Sequence, residues 1–207
     1  PIVGHGNSYL KENIRIIGKT RLFNTGGLGY NSFKGRLNDL INGQGGDDYL
    51  YGRDGDDTIL LGGPGNAYLD GGEGIDTFSV GLGNMDWPKT DNTNDLVNFK
   101  YTINLEQELA GNDAIINFEN VDYFGEYDSE ITGDEKDNII SSSSGDDVLR
   151  GGAGNDTLNA GAGNDFLYGE EGDDTLILGG SGYTVFDGGE GVTGLFADLP
   201  VVQAFEQ

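Results

Sequence analysis

The chain has 207 residues and carries 36 acidic against 11 basic side chains, which gives a net charge of −25. Such a charge argues against nucleic acid as a partner, because proteins bind the phosphate backbone mainly through Lys and Arg. Cysteine is absent, so disulfides cannot stabilise the fold, and no stretch approaches the length of a transmembrane segment.

Residues 1–25 precede the regular part of the sequence. They contain one degenerate copy, VGHGNSYLK at residues 3–11, of the nine-residue pattern that follows. The open end of a repeat protein needs to be covered. We therefore expect residues 1–25 to form an N-terminal cap.

A nine-residue pattern, G-G-x-G-x-D-x-U-x with U large and apolar, fills residues 26–79. The copies in this first block are 26–34, a shortened 35–42, 43–51, 52–60 and, after the extra residue Leu61, 62–70 and 71–79. A fixed period of nine predicts a solenoid, in which each repeat buries its apolar side chain against its neighbours.

The residue types within one repeat indicate its chemistry. Glycine at positions one, two and four permits positive φ and close approach of the chain. Such a loop turns its carbonyl oxygens inward, and the Asp at position six adds a carboxylate, so that the ligand set suits calcium. The last three residues suit a very short strand whose middle residue, at position eight, points into the core. The predicted core is Phe33, Ile41, Leu50, Ile59, Leu69, Phe78, Ile131, Ile140, Leu149, Leu158, Leu167, Leu176 and Phe186.

Residues 80–123 break the period and form a connecting segment. Apolar residues alternate from Val97 to Leu105, with Ile103 among them, which predicts a strand. We expect this segment to continue the stack of sheets with longer strands.

Residues 124–196 form a second block of repeats. Two degenerate copies, at 124–132 and 133–141, precede copies at 142–150, 151–159, 160–168 and 169–177. After the extra residue Leu178 follow 179–187 and 188–196. Residues 55–74 align with 172–191, including the inserted Leu, which indicates internal duplication of a larger unit.

Residues 197–207 are apolar for the most part and do not repeat. An open solenoid end exposes unpaired backbone and core side chains. We expect this tail to form a C-terminal cap.

The nonapeptides, of which GGAGNDTLN at 151–159 is a clear copy, resemble those of the RTX (repeats-in-toxin) family, whose hemolysin-type repeats bind calcium. The resemblance implies an all-β fold, a right-handed parallel β-roll with two repeats per turn, here in two blocks joined by a strand-containing segment. It also implies that each calcium ion is held between loops two repeats apart, by backbone carbonyls of both loops and the position-six carboxylate. A further implication is secretion from a Gram-negative bacterium by the type I machinery, as an unfolded chain that folds on extracellular calcium.

Carried onto this sequence, the resemblance assigns calcium ligands. The position-six acids are Asp39, Asp48, Asp57, Asp76, Asp147, Asp156, Asp165 and Asp174. Position five adds Asp47, Asp56, Asp146 and Asp173. Loop residues expected to line the ions are Gly43, Gly45, Gly52, Gly55, Gly71, Gly74, Gly151, Gly152, Ala153, Gly154, Asn155, Gly161, Gly163, Asn164, Gly169 and Gly172.

The quality of the candidate sites varies along the chain. The best-formed pairs of position-six acids, two repeats apart, are Asp39 with Asp57, Asp147 with Asp165, and Asp156 with Asp174. The pair Asp57 and Asp76 spans the Leu61 insertion. Other side chains at position six break or weaken the motif: Asn31, Ala67, Asn138, Thr184 and Thr193.

The predicted fold depends on the ion. Burial of a Leu or Phe side chain contributes about 1.5–3 kcal/mol, whereas ordering the backbone costs about 1–2 kcal/mol per residue. Crowded carboxylates also repel one another. We therefore expect a chain that is unfolded without calcium, because metal binding then supplies the free energy of folding.

Three classes of function are considered. The repeats favour a calcium-dependent structural module. The alternative is a calcium-dependent adhesion module of a larger toxin or adhesin, which binds a host-cell surface glycan or receptor through its outer face or through Trp87, Tyr123 and Tyr127. An enzyme is not expected, because the chain has a single histidine, His5, and lacks H-E-x-x-H and G-x-S-x-G motifs.

Overall fold

The computed structural model describes residues 15–17, 20–24, 32–34, 38–43, 48–61, 67–81, 100–111 and 113–197. Within these residues, all regular structure consists of short β-strands, which form two sheets of ten strands each. None of them lies in a helix that could cross a membrane. The predicted all-β class is confirmed.

The strands are numbered in chain order, but their order across each sheet is spatial. The first sheet runs through β1 (Arg15–Ile17), β2 (Thr20–Asn24), β4 (Asp39–Asn42), β6 (Thr58–Leu61), β8 (Thr77–Val80), β12 (Asn120–Tyr123), β14 (Ile139–Ser141), β16 (Thr157–Asn159), β18 (Thr175–Leu178) and β20 (Gly194–Ala197). The second sheet runs through β3 (Ser32–Lys34), β5 (Tyr49–Asp54), β7 (Tyr68–Glu73), β11 (Asp113–Ile116), β10 (Leu109–Ala110), β9 (Lys100–Asn104), β13 (Asp128–Thr132), β15 (Val148–Ala153), β17 (Asp165–Glu171) and β19 (Thr184–Asp187).

Successive strands within each block lie in opposite sheets, and strands one turn apart pair in parallel. In the first sheet, Ile140 of β14 pairs with Leu158 of β16, which in turn pairs with Leu176 of β18. Each step spans two nonapeptides. The fold is therefore a parallel β-roll with two repeats per turn, as predicted.

The position-eight side chains form the core between the sheets. Eleven of the predicted core residues are at most 1% exposed: Ile41, Leu50, Ile59, Leu69, Phe78, Ile131, Ile140, Leu149, Leu158, Leu167 and Leu176. Phe186 is partly buried against this cluster, and the side chain of Phe33 lies outside the description. Because side chains on a strand alternate between its two faces, one apolar residue per repeat suffices to fill this narrow core.

The two inserted leucines, Leu61 and Leu178, are also accommodated in the buried core. Leu61 ends β6 and Leu178 ends β18, and both are buried. Their presence lengthens the next turn by one residue, so that Leu50 pairs with Leu69 and Leu167 pairs with Phe186. The duplicated segments thus share an irregularity of structure as well as of sequence.

The connecting segment continues both sheets, but unequally. In the first sheet, β12 alone bridges β8 and β14. In the second sheet, β11, β10 and β9 form an antiparallel meander between β7 and β13. Ile115 and Ile103 are buried at the level of the position-eight ladder, paired with Leu69 and Ile131.

Continuation of the stack by this segment is confirmed, but its described residues do not form the longer strands that we expected, and residues 82–99 lie outside the described residues. Its described strands have two to five residues. They are no longer than the longest strands of the repeat blocks, of which β15 has six residues and β17 seven.

The N-terminal end of the first sheet is an antiparallel pair of β1 and β2. This strand pair lies within the predicted N-terminal cap, residues 1–25, of which residues 1–14, 18, 19 and 25 lie outside the described residues. The predicted C-terminal cap, residues 197–207, also lies outside it except for the backbone of Ala197.

Candidate metal centres

The loops between the sheets lie in two rows. Loops of the first row lead from a strand of the second sheet to the next strand of the first sheet, as residues 151–156 lead from β15 to β16. Loops of the second row lead back, as residues 160–165 do. All eight predicted position-six acids are at most 2% exposed: Asp39, Asp48, Asp57, Asp76, Asp147, Asp156, Asp165 and Asp174.

In several of these carboxylates, one oxygen, Oδ1, accepts a backbone hydrogen bond from the preceding turn and so joins consecutive turns. The backbone N–H of Asp156 donates to Asp174 Oδ1 at 2.9 Å, across eighteen residues. The equivalent bonds are Asp39 N–H to Asp57 Oδ1 at 2.6 Å, Asp57 N–H to Asp76 Oδ1 at 2.7 Å, and Asp147 N–H to Asp165 Oδ1 at 3.0 Å. The structure therefore brings together the members of all three pairs predicted to be best formed, and also Asp57 and Asp76 across the Leu61 insertion.

The second oxygen of these carboxylates, Oδ2, differs because it lacks a hydrogen-bond donor in four of them. Oδ2 of Asp76, Asp156, Asp165 and Asp174 is buried and accepts no hydrogen bond. A buried ionised carboxylate oxygen without a donor is costly, and a bound cation or a proton removes that cost.

The space beside this oxygen is made by the glycine at position one. A Cβ on Gly151 would collide with Asp156 Oδ2 and with the carbonyl oxygen of Gly169, one turn later. A Cβ on Gly169 would likewise collide with Asp174 Oδ2 and the Gly188 carbonyl. A carboxylate and a backbone carbonyl thus converge beside the same glycine, and both are ligands that calcium prefers. The residues present fit a calcium ion.

Glycines at positions two and four have another role. They adopt positive φ, for example +110° at Gly152 and +117° at Gly154, a conformation that costs other residues energy. The same holds for predicted loop residues Gly55, Gly74, Gly161, Gly163 and Gly172. Gly151, Gly52, Gly71 and Gly169 are not in this region, so position one needs glycine for space.

Burial changes the acidity of the position-six carboxyls. Desolvation raises the pKa of Asp156 to about 7 and the pKa values of Asp76 and Asp165 to about 6, against the partial opposition of the backbone N–H bonds. Neighbouring carboxylates add to the increase in pKa. Without a cation, these groups therefore retain protons to a pH near neutrality.

We call the space beside a position-one glycine, where the position-six Oδ2 and a backbone carbonyl of the next turn converge, the cation cradle. The side chains at position five lie outside these cradles. Asp56, Asp146 and Asp173 are exposed, and each accepts a hydrogen bond from the backbone N–H of the position-five residue one turn later, at 3.1, 2.8 and 2.8 Å. Asn155 accepts the same bond from Asp173 at 3.0 Å. Because an amide replaces a carboxylate here, the geometry favours a role in joining turns. A ligand role for position five stays a prediction, and Asp47 lies outside the description.

The other predicted loop residues have varied surroundings. Ala153 N–H donates to the Asp134 carbonyl at 3.0 Å and Asn164 N–H to Asp146 Oδ1 at 2.8 Å, so these amides join turns. A Cβ on Gly43 would lie 2.7 Å from Asp48 Oδ2, which repeats the position-one arrangement in the second row. Gly45 lies outside the description.

Asp147 departs from the common pattern. Its Oδ1 accepts from the backbone and the hydroxyl of Ser129, at 2.7 and 2.8 Å, and its Oδ2 lies 2.8 Å from Ser142 Oγ. Both carboxylate oxygens thus have partners within the protein. The degenerate position-six residue Thr193 behaves similarly, because its hydroxyl donates to the Gly188 carbonyl at 3.2 Å.

Two acids of the connecting segment, which were not predicted from the sequence, also join turns. Asp113 is fully buried and its Oδ1 accepts from Ala67 N–H at 2.6 Å, while Glu119 Oε2 accepts from Asp76 N–H at 2.9 Å. Each precedes a buried apolar residue, Ile115 or Val121, by two positions, as position six precedes position eight. That spacing was a usable signal even though the nine-residue period is broken.

Asn117 completes this continuation. It has a φ of +56°, and its carbonyl oxygen faces the space beside Gly71 and Asp76 Oδ2. A residue outside the repeats therefore takes the place of a loop glycine.

Within the described ranges, no three acidic, His or Cys side chains are grouped so as to hold a metal ion. Beside Gly71, Gly151 and Gly169, the carboxylate faces a backbone carbonyl, so an ion bound there needs such carbonyls among its remaining ligands. This arrangement suits calcium, which accepts many oxygen ligands in flexible geometry.

Comparison with known proteins agrees with this geometry. A family model described as the RTX calcium-binding nonapeptide repeat matches residues 35–63, 61–84, 125–158, 141–176 and 150–185, which together cover more than half of the chain. A search of curated proteins found no match. On the strength of its repeats, its parallel roll and this match, the chain belongs to the RTX calcium-binding nonapeptide repeat family.

Proposed function

We propose that this chain is the calcium-binding RTX module of a secreted bacterial protein, unfolded without calcium and folding into its β-roll on extracellular calcium. The observation that carries this proposal is the buried Oδ2 of Asp76, Asp156, Asp165 and Asp174, which has no hydrogen-bond donor. At Asp76, Asp156 and Asp174, a backbone carbonyl of the next turn also faces this oxygen, and calcium supplies the missing positive charge there.

The charge of the whole chain supports the same proposal. A net charge of −25 opposes a compact state through repulsion between its carboxylates. Extracellular calcium modules bind with dissociation constants of about 10⁻⁴ to 10⁻³ M. Such a module stays unfolded at the low calcium concentration inside a cell, in the form suited to export by the type I machinery of a Gram-negative bacterium, and folds outside.

The role that we propose is structural, and we propose no catalytic activity for this chain. The position-six acids, which could otherwise supply paired carboxylates for acid–base chemistry, face backbone carbonyls and glycine in a buried cradle. A buried cradle of this kind offers no cleft for a substrate.

Small-angle X-ray scattering tests the proposal directly. For 207 residues, a compact fold has a radius of gyration of roughly 17 Å and an unfolded chain one of about 49 Å. The calcium-free chain is expected near the larger value, and addition of 5 mM calcium should reduce it at least twofold, while 5 mM magnesium should not. A compact calcium-free chain would contradict the proposal.

The alternative, a calcium-dependent adhesion module, is favoured by one feature of the outer surface. On the outer face of β5 and β7, the rings of Tyr49 and Tyr68 are stacked at 6.2 Å, and those of Tyr51 and Tyr68 lie 5.7 Å apart. The duplicated positions in β17 carry Phe166 and Tyr168. Exposed aromatic rings of this kind stack well on the apolar faces of sugars.

One of the aromatic residues predicted for adhesion, Tyr123, does not support the alternative. Tyr123 is 1% exposed and donates its hydroxyl to the Tyr127 carbonyl at 3.0 Å, so it belongs to the core. Tyr127 is 38% exposed, and Trp87 lies outside the description.

A surface variant separates the two functions. Under the alternative, Tyr49→Ala combined with Tyr68→Ala abolishes calcium-dependent binding to host cells without changing the circular dichroism spectrum in calcium. Tyr183→Ala is the matched control, since Tyr183 is 68% exposed and distant in sequence from the cluster. Absence of binding by the wild-type chain would rule the alternative out.

A further inference from the structure

We propose that the turn which opens the second block is held together by side-chain donors in place of calcium and orders before the ion binds. The residues concerned are Ser129, Ser142 and Asp147 in one row of loops and Glu119, Lys136 and Asn138 in the other. This inference rests on the proposed function, because it assigns a calcium-independent turn to a calcium-dependent roll.

Ser142 occupies position one, where Gly151 and Gly169 make space for an ion. Its Oγ lies 2.8 Å from Asp147 Oδ2 and 2.8 Å from the carbonyl oxygen of Ala160, one turn later. These are the same two kinds of oxygen, from position six and from the next position one, that converge beside Gly151. The hydroxyl therefore fills the cradle and bonds one of its oxygens at any moment.

Ser129 completes the set of donors. Its N–H and its hydroxyl both lie within hydrogen-bonding distance of Asp147 Oδ1, at 2.7 and 2.8 Å. Asp156, one loop later in the other row, has the backbone bond to Oδ1 at 2.7 Å but no partner for Oδ2. Asp147 is satisfied by protein groups where Asp156 is not.

In the neighbouring loop of the first row, residues 133–138, side-chain nitrogens serve as hydrogen-bond donors. Asn138 replaces the position-six Asp, and its Nδ2 donates to the Glu119 carbonyl at 2.8 Å and to Asp134 Oδ1 at 3.1 Å. The Lys136 ammonium lies 2.7 Å from Glu119 Oε1. Asn138 Oδ1 still lies beside Gly133 together with the Gly151 carbonyl. It is a neutral amide oxygen, however, and it accepts from the Asp134 N–H at 2.9 Å. This loop therefore has no position-six carboxylate for a cation to neutralise, and the nearby Glu119 carboxylate is paired with Lys136.

The position of this turn gives it a role in folding. It lies where the connecting segment meets the second block, with loops that retain the cation cradle at Asp76 on one side and at Asp156 on the other. In a solenoid, an ordered unit stabilises its neighbours through their shared interfaces. An ordered turn here lets calcium-driven folding spread into the second block without a separate nucleation step.

Hydrogen exchange of the wild-type chain in calcium-free buffer tests the early ordering. The backbone amides of Ser129 and Asn138 should exchange at least tenfold more slowly than those of Asp39 and Asp57, whose first-block loops make the same backbone bond. Equal exchange at all four amides would overturn the inference.

Ion counting by isothermal titration calorimetry tests the assignment at Ser142. Ser142→Gly opens the cradle and should bind one more calcium ion than the wild type. Gly151→Ser places a side chain in the space beside Asp156 Oδ2 and the Gly169 carbonyl and should bind one fewer. Ser143→Gly is the control, because position two ordinarily carries glycine.

The outcomes separate this inference from the proposed function. If the wild type binds calcium and folds on it, but Ser142→Gly gains no ion and Gly151→Ser loses none, the inference fails and the proposed function stands. If the wild type binds no calcium, the proposed function fails first. Should Ser142→Gly not fold, hydrogen exchange of the wild-type chain still decides, because slow exchange at Ser129 and Asn138 supports the inference and equal exchange at all four amides overturns it.

Discussion

At the scale of the residue, positions one, five and six of the nonapeptide have different roles in the loop. Position one leaves space, as at Gly151, and position six fills part of it with a buried carboxylate, as at Asp156. Position five stays at the surface and joins turns, as at Asp173. The sequence pattern identifies positions one and six because their residue types are nearly fixed, and the structure buries all eight position-six acids. Their role as calcium ligands stays a prediction, as does that of position five.

Replacement of one buried carboxylate tests whether position six, and not position five, holds the ion. Asp156→Asn keeps the shape but removes the charge, so at least one calcium ion should be lost from the titration. Because bonds to charged groups are each worth about 1.5–3 kcal/mol, the free energy of unfolding in saturating calcium should fall by about that amount. Asp173→Asn, at the exposed position five, is the control, and an equal effect of both substitutions would contradict the assignment.

The raised pKa values predict how the calcium-free chain responds to pH. Asp156, Asp76 and Asp165 have folded-state pKa values of about 7, 6 and 6, above the value of about 3.9 for Asp in an unfolded chain. The folded state thus binds protons more tightly, so its extra stability is present below about pH 4 and is lost as pH rises through 6 to 7.

Far-UV circular dichroism in calcium-depleted buffer checks this dependence. The calcium-free chain should gain β-structure as pH falls from 7.5 to 5. In the presence of calcium, the same acidification should raise the calcium midpoint, because the ion competes with protons for the carboxylates. A calcium-free chain that loses β-structure on acidification, with no rise in the calcium midpoint, would contradict the raised pKa values.

At the scale of the element, the short strands follow from the position-eight ladder, and the loops between them depend on glycine geometry. The ladder was predictable, since a single apolar residue recurs every nine positions from Ile131 to Leu176. The antiparallel meander of β9, β10 and β11 was not. Alternation around Ile103 predicts a strand but does not specify its partner or direction, which are set by contacts with β7 and β13.

Position two offers a test of loop geometry. Gly152→Ala forces an alanine into a φ of +110° against the Asp134 carbonyl, so it should lower stability in calcium by at least about 1–2 kcal/mol. Glu170→Ala is the matched control one turn later, because Glu170 already has a φ of +74° with a side chain present. Its exposed contact with Arg150 at 3.6 Å contributes little. Urea unfolding of both variants in calcium checks the difference, and a loss no larger for Gly152→Ala would refute this role of the glycine.

At the scale of the whole molecule, the roll joins two blocks that share the Leu61 and Leu178 irregularity, and a connecting segment continues the stack between them. That segment supplies Asp113, Glu119 and Asn117 in the places of loop residues. Period-based reasoning could not assign these residues, because their placement depends on how the connecting segment packs against the first block. The blocks themselves, with their cores and their buried acids, were predicted from the sequence.

The large negative charge of the molecule opposes assembly of the roll. Its acids outnumber its bases by more than three to one, and the buried ones lie in stacked loops one turn apart. Apolar burial of one side chain per repeat does not offset both the repulsion and the ordering of a glycine-rich backbone. Under the proposed function, calcium binding is the term that makes folding favourable.

Far-UV circular dichroism during a calcium titration at pH 7.5, from a calcium-depleted sample, tests this central claim most directly. We predict a cooperative change from coil to β-structure between about 10⁻⁴ and 10⁻³ M calcium, with no such change in magnesium. A spectrum of β-structure that is already complete without calcium, and unchanged by its addition, would contradict the claim that the ion drives folding.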